Sequence, residues 1–113
     1  MKTIIAGSRN YDNYPEFCDY MSNISWEITE VVSGAARGAD AMGERWAKQV
    51  GLPCVKFPAQ WDEWGTRAGA IRNSQMAEYA DALVAFPAPG SKGTANMIIQ
   101  ANLHGLPVEV HEI

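Results

Sequence analysis

Five short apolar runs, each separated from the next by enough chain for a helix, set the strongest limit on how this sequence can fold. The runs are Lys2–Ala6, Ile28–Val32, Cys54–Phe57, Asp81–Phe86 and Pro107–Val110. Runs this short and this apolar read as strands buried on both faces. Between them, apolar residues recur at helical spacing. Tyr14, Phe17, Cys18 and Met21 predict a helix over about residues 14–24, and Ala39, Met42, Trp46 and Val50 predict a second. Gly51 ends that second helix and Pro53 prevents its continuation. A third helix is expected from Arg67 to Tyr79, with a weak stripe of Ala70, Ser74 and Ala77. A fourth presents Ala95, Ile98, Ile99 and Leu103 before a Gly105 cap. Residues 58–66 show no clean period and read as a loop.

The resulting order, β-α-β-α-β-α-β-α-β, predicts an α/β fold: a five-stranded parallel sheet with helices on both faces. All 113 residues are expected to form one domain, 1–113, without repeats or linkers. In such open sheets ligands sit beyond the carboxyl ends of the strands. Every unusual loop here leaves a strand at that end: residues 7–11, 33–40, 58–66 and 87–94. The four are therefore expected to converge on one rim.

Composition narrows the class of partner. With 47% hydrophobic and 19% charged residues, the chain can build a core and is not disordered. A net charge of −4 argues against a non-specific nucleic-acid coat, but not against a small anion held by a few arginines. Cys18 and Cys54 stand alone and read as ordinary thiols of a reducing compartment. The opening Met1–Gly7 is too short for a secretory signal, and no apolar run approaches the ~18 residues of a membrane span. A cytoplasmic protein without membrane contact is expected, and a homo-oligomer fits so small a domain with four tryptophans. There is no HExxH, no Cys/His set and no GxSxG elbow, so neither a metal nor a cofactor is called for. His104 and His111 fall at a helix end and in the last strand, away from the rim.

Ser33–Asp40 carries the strongest rim signal. A strand that ends in small residues and opens a helix exposes N–H groups at the positive end of a helix dipole. Gly34 and Gly38 allow a tight turn, Arg37 offers a planar fork for phosphate or carboxylate, and Asp40 an acceptor pair for hydroxyls. In the first loop Gly7 permits a close backbone approach, Ser8 brings a hydroxyl and an N–H, and Arg9 a cation. A plain Gly-Ser turn with a solvated arginine is the other reading. Trp61 and Trp64 can stack on a base or cap a pocket, or fill the core. Arg72, next to Asn73, either reaches inward to an anion or pairs with Asp62 or Glu63. Gly93 and Thr94 place amides and a hydroxyl at the start of the last helix, although Pro89–Thr94 is not a GxxxxGK[ST] loop.

Taken as a set, GSRNY, SGAARGAD, PAQWDEWGTRAGAIRN and AFPAPGSKGTANMI resemble the SLOG superfamily, and within it the small stand-alone YspA/YpsA-related branch of bacteria and phages. Its more distant relatives are the DNA-processing protein DprA and the LOG phosphoribohydrolases. The resemblance implies a Rossmann-like three-layer sandwich with strand order 3-2-1-4-5 and a nucleotide-derived ligand at the rim. It implies binding roles for Gly7, Ser8 and Arg9; for Gly34, Arg37, Gly38 and Asp40; for Arg72 and Asn73; and for Gly93 and Thr94. The LOG hydrolases carry a PGGxGTxxE pattern whose glutamate serves N-glycosidic hydrolysis. Met97 stands at that position here.

Three functions remain open from the sequence. The first is a module that senses or sequesters a nucleotide-derived small molecule, favoured by two helix starts, rim arginines and few acid–base groups. The second is a nucleotide-processing hydrolase with Asp40 as acid or base. The third is DprA-like binding of single-stranded DNA, which the acidic charge disfavours.

Overall fold

Ile4 and Ile5 are chain neighbours, both fully buried, and they face opposite sides of one sheet. In a strand, consecutive side chains alternate faces, so burying both requires a layer above and a layer below. The computed structural model, which describes residues 1–113, shows that arrangement. The elements run β1 (Lys2–Gly7), α1 (Tyr14–Ser22), β2 (Glu30–Ser33), α2 (Ala39–Val50) and β3 (Cys54–Lys56). Then come α3 (Trp61–Trp64), a 3-10 turn (Gly65–Arg67), α4 (Ala68–Tyr79), β4 (Ala82–Phe86), α5 (Lys92–Leu103) and β5 (Val108–Val110). All strand pairs are parallel, in the order β3-β2-β1-β4-β5. This is the α/β three-layer fold that the sequence and its family resemblance predict.

Each face has its own core. Ile5, Phe17, Met42, Ala47, Val84 and Phe86 fill the space under α1 and α2. Ile4, Met76, Ala77, Leu83, Met97 and Ala101 fill the space under α4 and α5. Each large side chain fully removed from water contributes about 1.5–3 kcal/mol, so these two clusters supply the main driving force for the layers. The aromatic rings of Tyr11, Phe17 and Tyr20 gather around Phe86, with centroids 5.0–5.9 Å away.

Four helical expectations need correction, the first being the stripe of α4, which buries Ala68, Asn73, Met76 and Ala77 while Ala70 is exposed. Residues 58–66 are not all loop: Glu63 and Trp64 donate to the Gln60 carbonyl at 3.0 and 2.9 Å and form the short helix α3. Its residues are exposed, so no apolar period marks it. On α2 the buried side is Ala39, Met42, Gly43 and Ala47, with Asp40; Trp46 packs only partly, and Val50 is half exposed. On α5 the buried side is Thr94, Met97 and Ala101, while Ile99 and Leu103 are 54% and 74% exposed. Small residues let both helices lie close to the sheet, and helical spacing alone does not fix the rotation of a helix about its axis. β2 also starts at Glu30, two residues later than expected.

The end of β1 is the tightest point of the sheet. A Cβ on Gly7 would lie 2.5 Å from the Phe86 carbonyl oxygen and 2.8 Å from the Ala39 Cβ, and backbone cannot yield to it. Gly7→Ala is therefore expected to destabilise the fold by about 1–3 kcal/mol, read as a lower urea midpoint with an unchanged slope. An unchanged midpoint would refute this packing.

Candidate functional site

β1, β2 and β4 end at one edge of the sheet, and their loops lock together there. Gly38 has φ +75°, and a Cβ on it would lie 2.2 Å from the Ser8 carbonyl oxygen. The Ala39 N–H donates to that same oxygen at 3.1 Å. The start of α2 is thus partly closed by the β1 loop rather than open to a ligand. Ser8 itself donates its N–H to Phe86 O at 3.0 Å and accepts the Asn10 N–H on Oγ at 3.1 Å. What Ser8 keeps for a ligand is its hydroxyl proton.

The start of α5 is open. Ser91 is its N-cap residue but makes no side-chain cap bond, and its Oγ instead accepts the Ala88 N–H at 3.4 Å. The Lys92, Gly93 and Thr94 amides have no partner within the protein, as expected for the first turn of an uncapped helix. They border a cavity of about 380 Å³ that also includes Gly7, Ser8, Arg9, Asp40, Arg72 and Asn73. A second cavity of about 470 Å³ adjoins it, walled by Gly34, Arg37, Pro58 and Trp61. Arg9, Ala36 and Arg72 belong to both, so the two form one groove with a waist. Volumes of this size are those of small-molecule sites.

Arg72 builds the waist. One guanidinium N–H donates to the Gly34 carbonyl, and Nε donates to Asn73 Oδ1 at 3.0 Å. Asn73 Nδ2 then donates to Gly93 O at 3.2 Å and Asn96 Oδ1 at 3.0 Å. The pair ties α4 to the β2 loop on one side and to the start of α5 on the other. Asn73 uses its whole amide in this way, so it positions its neighbours. Arg72 pairs with neither Asp62 nor Glu63. A Cβ on Gly34 would collide with Arg72 Nη1 at 2.5 Å and Asp40 Oδ2 at 2.8 Å, which explains glycine there.

Four cations, Arg9, Arg37, Arg72 and Lys92, line this groove in a chain of net charge −4, and one carboxylate, Asp40, faces them. Asp40 is 6% exposed. Its Oδ2 accepts the Ala36 N–H at 3.2 Å; its other oxygen makes no hydrogen bond within the protein. Burial pushes the carboxyl up to about 6, against the opposing pull of the Ala36 amide and Arg72. Burial likewise lowers Arg72, and Asp40 opposes that shift. No three His, Cys, Asp or Glu side chains converge to hold a metal.

Of the residues singled out in the sequence, Gly7, Ser8, Arg9, Asp40, Arg72, Asn73, Gly93 and Thr94 meet in the first cavity. Gly34, Arg37 and Trp61 meet in the second. Gly38 lines neither and serves the joint between loops. Trp64 also lines neither cavity and is 41% exposed, so it is not a core plug. His111 lies just past β5, not within it; its ring stacks on Tyr20 at 4.2 Å and Nε2 meets Glu109 at 3.0 Å. Sequence reasoning missed Lys92, although a lysine at a helix start beside glycines is a readable signal. It also missed Ala35, whose φ of +59° is costly for a residue with a Cβ. Ser33 Oγ holds that turn by accepting the Ala35 N–H at 3.1 Å while donating to Glu44 Oε2 at 2.7 Å.

The model of the YspA, cpYpsA-related SLOG family matches residues 1–64, which include the first two rim loops and Trp61. The Gene 61 protein of Mycobacterium phage D29 is similar throughout: 39% identical over 117 aligned positions, covering 95% of this chain and 93% of its own. No solved structure matches.

A buried carboxyl raised from 3.8 to about 6 makes the folded state bind the proton more tightly than the unfolded state. Stability from this group therefore falls as pH rises from about 4 to about 6 and stays lower above that. Asp40→Asn, which keeps an acceptor for the Ala36 N–H, is expected to stabilise the protein at pH 7.5 by about 2–3 kcal/mol. That gain should fade towards pH 4 in denaturant titrations. A variant less stable than the parent at pH 7.5 would contradict the strain assigned to Asp40.

Proposed function

Because the chain belongs to the YspA, cpYpsA-related SLOG family, we propose that its rim groove binds a nucleotide or nucleotide-derived small molecule, as a sensing or sequestering module. The observation that carries this reading is the uncapped start of α5. Three free amides, Lys92–Thr94, open into a cavity that also holds Arg9 and Arg72. Free N–H groups at a helix start, with the dipole behind them and guanidinium groups beside them, suit a phosphate. The adjoining cavity supplies an exposed indole, Trp61, on which a base can stack.

The scarcity of proton-moving groups favours binding over turnover. Met97, where the LOG hydrolases have their glutamate, is buried against the first cavity, and Asp40 is the one carboxylate along the groove. The net charge of −4 weighs against a nucleic-acid partner.

Isothermal titration against nucleoside mono- and diphosphates, NAD, ADP-ribose and cyclic nucleotides tests the reading. At least one should bind. Gly93→Asp, at a position where a side chain meets no protein atom, should weaken it by about tenfold or more by setting a negative charge in the phosphate seat. No binding by any member of the panel overturns the proposal. Release of base or phosphate during incubation replaces it with the hydrolase reading, Asp40 acting as acid or base.

A further inference from the structure

The geometry points to Asp40 as the acceptor of a ribose hydroxyl, so that the groove selects ribonucleotides over their deoxy counterparts; this rests on the nucleotide reading above. The groove has two ends and a waist. A phosphate seated on the α5 amides occupies the first cavity, and a base against Trp61 occupies the second. The sugar that joins them must then cross the waist beside Arg9, Ala36 and Arg72, the residues common to both. Asp40 lines the first cavity next to that crossing, in contact with Ala36. Its Oδ2 takes the Ala36 N–H, and the space a Gly34 Cβ would fill is shared by Asp40 Oδ2 and Arg72 Nη1.

The second oxygen of Asp40 identifies what is missing. It belongs to a side chain more than nine-tenths buried that lines the first cavity, and it has no hydrogen-bond partner in the protein. An ionised carboxylate only accepts hydrogen bonds, so its complement is a donor. Phosphate is excluded by like charge. A hydroxyl of the sugar fits by chemistry and by position, and a buried acceptor left unmatched penalises a ligand that lacks the donor. The charged groups facing Asp40 are Arg72 from α4, Arg9 from the β1–α1 loop and Glu44 from its own helix. None supplies the missing bond, because the Arg72 bonds go to Gly34 and Asn73, and Glu44 pairs with Ser33 and Lys56.

The test is titration calorimetry with AMP, GMP, CMP and UMP, each beside its 2′-deoxy and 3′-deoxy forms, at pH 7.5. The parent protein should bind a ribonucleotide about 10- to 100-fold more tightly than at least one of its deoxy forms. In Asp40→Asn that ratio should shrink to about threefold or less, because a charge-assisted bond is lost. The parent's own ratio should also fall between pH 7.5 and pH 5, as the carboxyl takes up its proton. Phosphate titration is common to both ligands and cancels in the ratio. Equal affinity for the ribo and both deoxy forms, or an unchanged ratio in Asp40→Asn, overturns the assignment while nucleotide binding stands. Failure of every nucleotide to bind overturns both.

Discussion

Strand β1 has no free edge, being paired with β2 on one side and β4 on the other, and its inner residues have no exposed face. That single constraint organises the rest. Parallel pairing sends β2 and β4 out of the sheet at the same end as β1, and Gly7 brings the three exits within contact distance. The β1 loop then serves as the joint. Its Ser8 carbonyl receives the first amide of α2, and its Ser8 N–H returns to β4. The groove is the space left between three crossover connections that a closely packed sheet forces together.

Charge is distributed unevenly around that space. Arginines and a lysine from four separate segments meet at the rim, while most of the acidic surplus lies elsewhere. Asp40 is the exception. It sits where burial opposes its ionisation; Arg72 and, more weakly, Arg9 relieve it, and Arg72 is itself partly desolvated. Burial opposes the charge on both groups, and each only partly offsets the other's penalty. Met97 supplies the contrast: at the corresponding place on α5 the wall is apolar and quiet.

The strands were readable because their residues must be apolar on both faces, a demand that leaves no polar alternation. The identity of the rim followed from topology, since the first four short runs end in small or turn-forming residues. Rotation of α2 and α5 was not readable. In α5 two stripes of helical spacing coexist, and the one chosen by the fold, Thr94–Met97–Ala101, is the less apolar. Trp61–Trp64 gave no signal because an exposed single-turn helix has no core to pattern it. Arg9, Asp40, Gly93 and Thr94 could be placed at the rim from type and position, and the structure gathers them around one cavity. The uses of Gly34 and Asn73 were not, because a glycine that clears a guanidinium and an amide that spends every bond inside the protein differ from ordinary turn residues only in three dimensions.

The turn at Ala35 ties the groove to the outer edge of the sheet. A chain of contacts runs from the Ala35 N–H through the Ser33 hydroxyl to Glu44 and on to Lys56 at the sheet's outer strand, where the ion pair spans 3.4 Å. This relay holds a left-handed alanine in place by groups that lie outside the groove. The wall beside Trp61 is thus braced from outside: its backbone turn is fixed by side chains that do not line the groove. A change at Lys56, on the outer strand, therefore reaches the groove wall through Glu44 and Ser33 without touching the groove itself.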